Sequence, residues 1–183
     1  MKTLVLTSLL SILCLSLTLA QVGNPFPPLE GETLDGTAVS LPEGSQGKYT
    51  LVGMAYSKRA EQDLQTWFLP VYRAFVQDRE GAGLFASFSY DINVYFIPMF
   101  TGAKRVASAP AFDSAKRNLD DRLHPLVLFY VGGLDEYRKA LEFEGKNKPY
   151  FFLLDEEGTI VWAGSGKFTE EKLQAIQTFL DDL

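Results

Sequence analysis

Chemistry that runs through a thiolate needs a cysteine, and this 183-residue chain has one, Cys14, inside an apolar N-terminal stretch. Disulfide exchange and thiol peroxidase chemistry both need a thiolate, so a chain trimmed of that stretch could perform neither. The other reactive residue types are as sparse. His124 is the only histidine and stands before Pro125, with no Ser or Cys motif to partner it. A metal site lacks its usual donors, because the carboxylate pairs Asp120-Asp121 and Glu156-Glu157 read as exposed turns. The segment "GSGK" (164–167) has Val161 where a phosphate loop needs its first glycine, and no Ser or Thr after Lys167. What remains is a pair of cations, Lys58 and Arg59, at the expected start of a helix, where positive charge opposes the dipole. Backbone N–H groups together with Lys58 and Arg59 could hold a carboxylate or another anion there. The plainer reading has both side chains solvated or paired with Glu61 and Asp63. No catalytic residue, cofactor site or metal site is expected.

The elements around these residues follow from periodicity. "ETLDGTAVSL" (32–41) alternates apolar and polar residues about Asp35-Gly36, a hairpin signal. Thr50–Tyr56 is apolar enough for a strand buried on both faces. From Ala60 to Gln77 the apolar residues recur at helical spacing, with Pro70 expected to kink the helix. "DINVYFIPMF" (91–100) predicts a second central strand stopping near Pro98. Helical stretches over Gly102–Ala107 and Ala111–Arg122, separated by Pro110, should follow, then a strand over His124–Val131 and a short helix over Leu134–Phe143. Pro149–Asp155 and Thr159–Gly164 predict a hairpin, and Thr169 caps an amphipathic helix running to Leu180. Strands alternating with helices predict one α/β domain over residues 21–183, with a mixed central sheet.

Residues 1–20 read as a secretory signal peptide: Lys2, an apolar run Leu4–Leu19, and small residues at Thr18 and Ala20 before Gln21. A run broken by Thr and Ser is short for a span of about 20 apolar residues, so cleavage should leave no membrane anchor. An exported protein, periplasmic or extracellular, is expected. The net charge is −6, and one unit more negative once Lys2 is lost, so nucleic acid is a poor partner.

The segments "PFPPLEGETLDGTAVSLPE", "YTLVGMAYSKRAEQDLQTWFLPVYRAF" and "NKPYFFLLDEEGTIVWAGSG" together carry a resemblance. They resemble the thioredoxin-like superfamily, in the branch of the periplasmic thiol-disulfide oxidoreductases and the alkyl hydroperoxide reductases. The resemblance implies a three-layer α/β/α sandwich with an N-terminal β-hairpin, and places Pro149 at the fold's cis-proline position. "TWFLP" (66–70) and "WAGSG" (162–166) also resemble the mitochondrial ATP synthase assembly factor family, which implies a thioredoxin-like frame used without redox chemistry. Against the redox pattern the departure is complete. Arg59 and Gln62 stand where the two cysteines would be, and the peroxidatic Thr-x-x-Cys is absent.

The expected function is therefore an exported, non-redox helper that binds a protein or peptide partner. Its groove is expected from Ser57, Lys58, Arg59, Lys148 and a cis Pro149, taking an extended acidic segment by backbone pairing. Two alternatives stand beside it. One is an enzyme of other chemistry in the same cleft, with Lys58, Arg59 or His124 contacting substrate. The other is an accessory domain with no site.

Overall fold

The computed structural model describes residues 21–45, 47–77 and 90–183; the expected leader, with Cys14, lies outside them. Strands β1 (Leu29–Thr33), β2 (Ala38–Leu41), β3 (Thr50–Ala55), β4 (Asn93–Thr101), β5 (Leu128–Gly132), β6 (Tyr150–Leu154) and β7 (Ile160–Ser165) form a single sheet in the order β2-β1-β5-β4-β3-β6-β7. The β3–β4 and β4–β5 ladders are parallel and the others antiparallel, so the sheet is mixed as expected. The α-helices among the described residues are α1 (Lys58–Gln65), α2 (Phe68–Phe75), α3 (Ser108–Asn118), α4 (Asp135–Ala140) and α5 (Glu170–Asp181).

Strand alternation sorts the core into two layers. On β3, Leu51 and Ala55 join a cluster with Leu64, Phe68, Val71, Phe75 and Ile176 from α1, α2 and α5. Val52 and Met54 point the other way, to Tyr137 of α4 and Phe26 of the N-terminal segment. Every residue of β3 and β6 is buried, which is why both read as unbroken apolar runs.

Prolines moved several boundaries from where the sequence put them. The long helix does not bend at Pro70 but breaks before it, between Gln65 and Phe68, leaving Pro70 in the first turn of α2. A missing N–H costs no intrahelical bond there. Pro110 likewise sits inside the first turn of α3, so that helix begins at Ser108 rather than after the proline. Pro98 does not end β4. Its register partner Ala55 is the last residue of β3, so the absent donor falls at the end of that ladder while Met99–Thr101 continue pairing with β5. His124 does not begin a strand; it lies in a 3-10 turn, Asp121–Leu126, that contains Pro125.

The tightest packing surrounds Phe151. In register it lies between Gly53 of β3 and Gly164 of β7. A Cβ on Gly53 would come within 2.7 Å of the Phe151 ring, and one on Gly164 within 2.5 Å of the Trp162 ring. The Phe151 and Trp162 rings take the room those glycines leave, and Trp67, fully buried, packs on Phe151 with ring centroids 4.1 Å apart.

Candidate functional site

The residues singled out by the sequence converge at the end of β3. Ser57 follows that strand with extended φ of −141° and caps α1, its Oγ accepting a hydrogen bond from the Ala60 amide at 3.1 Å. The same Oγ donates to the Lys146 carbonyl, tying the loop before β6 to the start of α1. Ser57 is buried and its hydroxyl is spent on these two bonds, so it positions its neighbours rather than meeting a ligand. Lys58 and Arg59 are exposed on the first turn. Arg59 reaches Asp63 at 3.7 Å, a weak surface pair, while Lys58 makes no ion pair among the described residues.

Across the loop, Lys148 pairs with Glu144 at 3.1 Å and lies 5.3 Å from the centre of the Tyr150 ring. The expectation of a cis Pro149 is corrected. Leu41–Pro42 is the cis bond among the described residues, and Lys148–Pro149 is trans. Proline biases the residue before it toward extended backbone, which suits entry into a strand without a tight turn. The loop's shape is fixed elsewhere: the Tyr150 hydroxyl accepts from the Gly145 amide and donates to the Gly145 carbonyl, each at 2.8 Å. Pro149 is buried, its carbonyl accepting from the Gly166 amide at 2.8 Å. Lys58, Arg59, Lys146 and Asn147 are exposed here and Lys148 is half-buried. Lys104 adds a further cation, donating to the Tyr56 carbonyl at 3.0 Å where β3 ends.

Sequence reasoning missed a second feature beside this surface. A cleft of about 400 Å³ opens between α1–α2 and α3. Its buried floor includes Leu64, Phe68, Phe100 and Phe129, and exposed Gln65, Ser114 and Asn118 form its rim. Glu61 also lines it, half-buried. Burial raises the Glu61 carboxyl above its ordinary value, against the opposing pull of Lys104 and Lys58. The signal was present. Glu61, Leu64 and Gln65 stand at i, i+3 and i+4 on one face of α1, and Phe68, at i+7, opens α2 beyond the break. His124, by contrast, is buried with Nε2 at 3.2 Å from the Leu119 carbonyl oxygen, which is a structural placement. Among the described residues no group of three His, Cys, Asp or Glu side chains could hold a metal ion. None of their helices is long and apolar enough to cross a membrane.

The family model described as "ATP10 protein" matches residues 20–183. The chain belongs to the ATP10 family. This is the ATP synthase assembly factor family that "TWFLP" and "WAGSG" resemble. No curated protein matches the chain. Solved structures match it at low identity and show the fold alone. BsSco, of the Sco family of cytochrome c oxidase assembly proteins, is 12% identical, with 88% of this chain and 96% of that one covered at a TM-score of 0.57. StoA from Bacillus subtilis is 18% identical over 86% and 98%, at 0.51. A thiol:disulfide interchange protein from Bacteroides sp. is 19% identical over 87% and 90%, also at 0.51.

In this ATP10-family chain the two family-like segments touch. Trp67 of "TWFLP" donates its indole N–H to the carbonyl of Gly166 in "WAGSG" at 3.1 Å. The Thr66 hydroxyl accepts from the Phe168 amide at 3.1 Å. Both segments therefore fasten β7 to the helix break, and they carry frame rather than chemistry.

Proposed function

We propose that this ATP10-family chain is an exported assembly helper that holds a protein segment without thiol chemistry. The signal peptide would be removed between Ala20 and Gln21, taking the only cysteine with it. The observation that carries the reading is the rebuilt end of β3. By the thioredoxin-like resemblance Arg59 and Gln62 stand where a redox pair would be; Ser57 is committed to fixing the 146–149 loop, and exposed cations flank that join. In an acidic protein, such a cluster is suited to an acidic partner segment, recognised by side chains rather than by a backbone exposed beside a cis proline. The test is cross-linked capture of a partner from the native envelope fraction. Lys58→Glu with Arg59→Glu should reduce capture several-fold and leave the thermal midpoint nearly unchanged, as exposed positions do. Equal capture by the double variant would remove the basic face from the account.

A further inference from the structure

The cleft between α1–α2 and α3 has a composition that specifies an occupant. Its floor is aromatic and aliphatic, and Glu61 is the charged side chain among the described residues that line it. Glu61 makes no ion pair and its carboxylate accepts no hydrogen bond among the described residues. The two nearby lysines attract it without pairing with it. Neither Lys58 nor Lys104 lines the cleft, and the Lys104 ammonium is engaged by the Tyr56 carbonyl. A carboxylate beside an apolar floor has lost water without gaining a partner, so an incoming cationic donor recovers what burial cost. The volume is in the range of pockets that enclose a side chain or a small ligand. The amide side chains of Gln65 and Asn118 on the rim offer further acceptors, which favours a planar guanidinium with several N–H groups over a single ammonium.

We infer that this cleft is the anchor site for an arginine of the protein partner that lies next to an aromatic or large aliphatic residue. The apolar neighbour fills the space over Phe68, Phe100 and Phe129, and the guanidinium binds Glu61. The inference rests on the partner-binding reading above and adds a second, oppositely charged contact to it. A helper with a basic face and an acidic apolar cleft side by side would select a segment carrying acid and arginine at a set spacing.

The cleft can be tested without the partner. The probe is the capped dipeptide N-acetyl-phenylalanyl-arginine amide, titrated into the full chain and followed by backbone amide NMR shifts. Saturating shifts should gather on the amides of Glu61, Leu64, Ala115 and Phe129. Glu61→Gln should weaken binding about tenfold or more, as should replacing the probe's arginine by neutral citrulline. Ala115→Phe, which fills the cleft from α3, should abolish the shifts while the thermal midpoint stays put. The double charge reversal at Lys58 and Arg59 should leave dipeptide binding at least as strong, because it removes a cation that pulls on Glu61, and this separates the cleft from the basic face. Absent shifts, or equal binding by Glu61→Gln or by the citrulline peptide, would overturn the inference. Loss of dipeptide binding in the charge-reversed chain would overturn it too, by placing the ligand on the basic face.

Discussion

One face of the sheet carries two kinds of packing. At the β6–β7 end, Trp67 lies on Phe151 and meets Phe168 edge-on at 5.4 Å, its indole N–H satisfied by Gly166. Over β5, α3 runs eleven residues and buries none of them. Its Phe112 meets Phe129 edge-on at 5.1 Å while remaining half-exposed, and clefts of about 400 and 250 Å³ lie alongside. The difference separates two jobs. Close packing around a buried aromatic holds the frame together; incomplete packing under a helix leaves apolar surface for something else to cover.

Substitutions at the tight end should cost most. Trp67→Ala removes a fully buried ring and orphans the Gly166 carbonyl, and should lower stability by about 3–5 kcal/mol, a fall of roughly 10 °C or more in the thermal midpoint. Gly53→Ala drives a methyl toward a Phe151 ring that Trp67 prevents from moving, at a cost of about 1–3 kcal/mol. The loose end should yield less: Phe112→Ala should cost about 1 kcal/mol, with all three variants compared by chemical denaturation. If Phe112→Ala matched Trp67→Ala, the contrast between the two ends would fail.

The smallest effect has the opposite sign. Because its carboxyl is raised in the fold, Glu61 binds a proton more tightly folded than unfolded. Its contribution is favourable below the unfolded value of 4.5 and is lost as pH rises through the raised folded value. Glu61→Gln should therefore stabilise the chain at pH 7, by less than about 1 kcal/mol at this half-exposed position, and the gain should vanish on acidification below that value. Thermal melts of both chains across pH 3–7 read it directly, and a loss at pH 7 would mean that Glu61 has a partner in the fold.

The frame was legible because its signals are local and redundant. The Asp35-Gly36 hairpin turn, the doubly buried strand expected over Thr50–Tyr56 and found over Thr50–Ala55, and the hairpin of 149–155 with 159–164 each read from neighbours alone. Prolines misled in a consistent way. Pro70 and Pro110 look like interruptions but start helices, and Pro98 sits where its missing donor is not needed. Only the ladder partners reveal that. Lys58 and Arg59 open α1, as their place after the strand predicts, but the fates of Ser57 and Pro149 depend on Lys146 and Gly166, one distant in sequence and one across a hairpin. The cleft was illegible for the same reason. Its floor comes from four separate elements, and its one local trace was the helical spacing of Glu61 with Leu64 and Gln65.

The central claim is that this thioredoxin-like frame works by holding a protein and not through a thiol. Cys14→Ser makes the entire chain free of cysteine. Partner capture from the native envelope fraction should then equal that of the unaltered chain, with or without reductant, while the Lys58→Glu, Arg59→Glu chain falls several-fold. Capture that drops in the Cys14→Ser chain, or that reductant abolishes, would contradict the account.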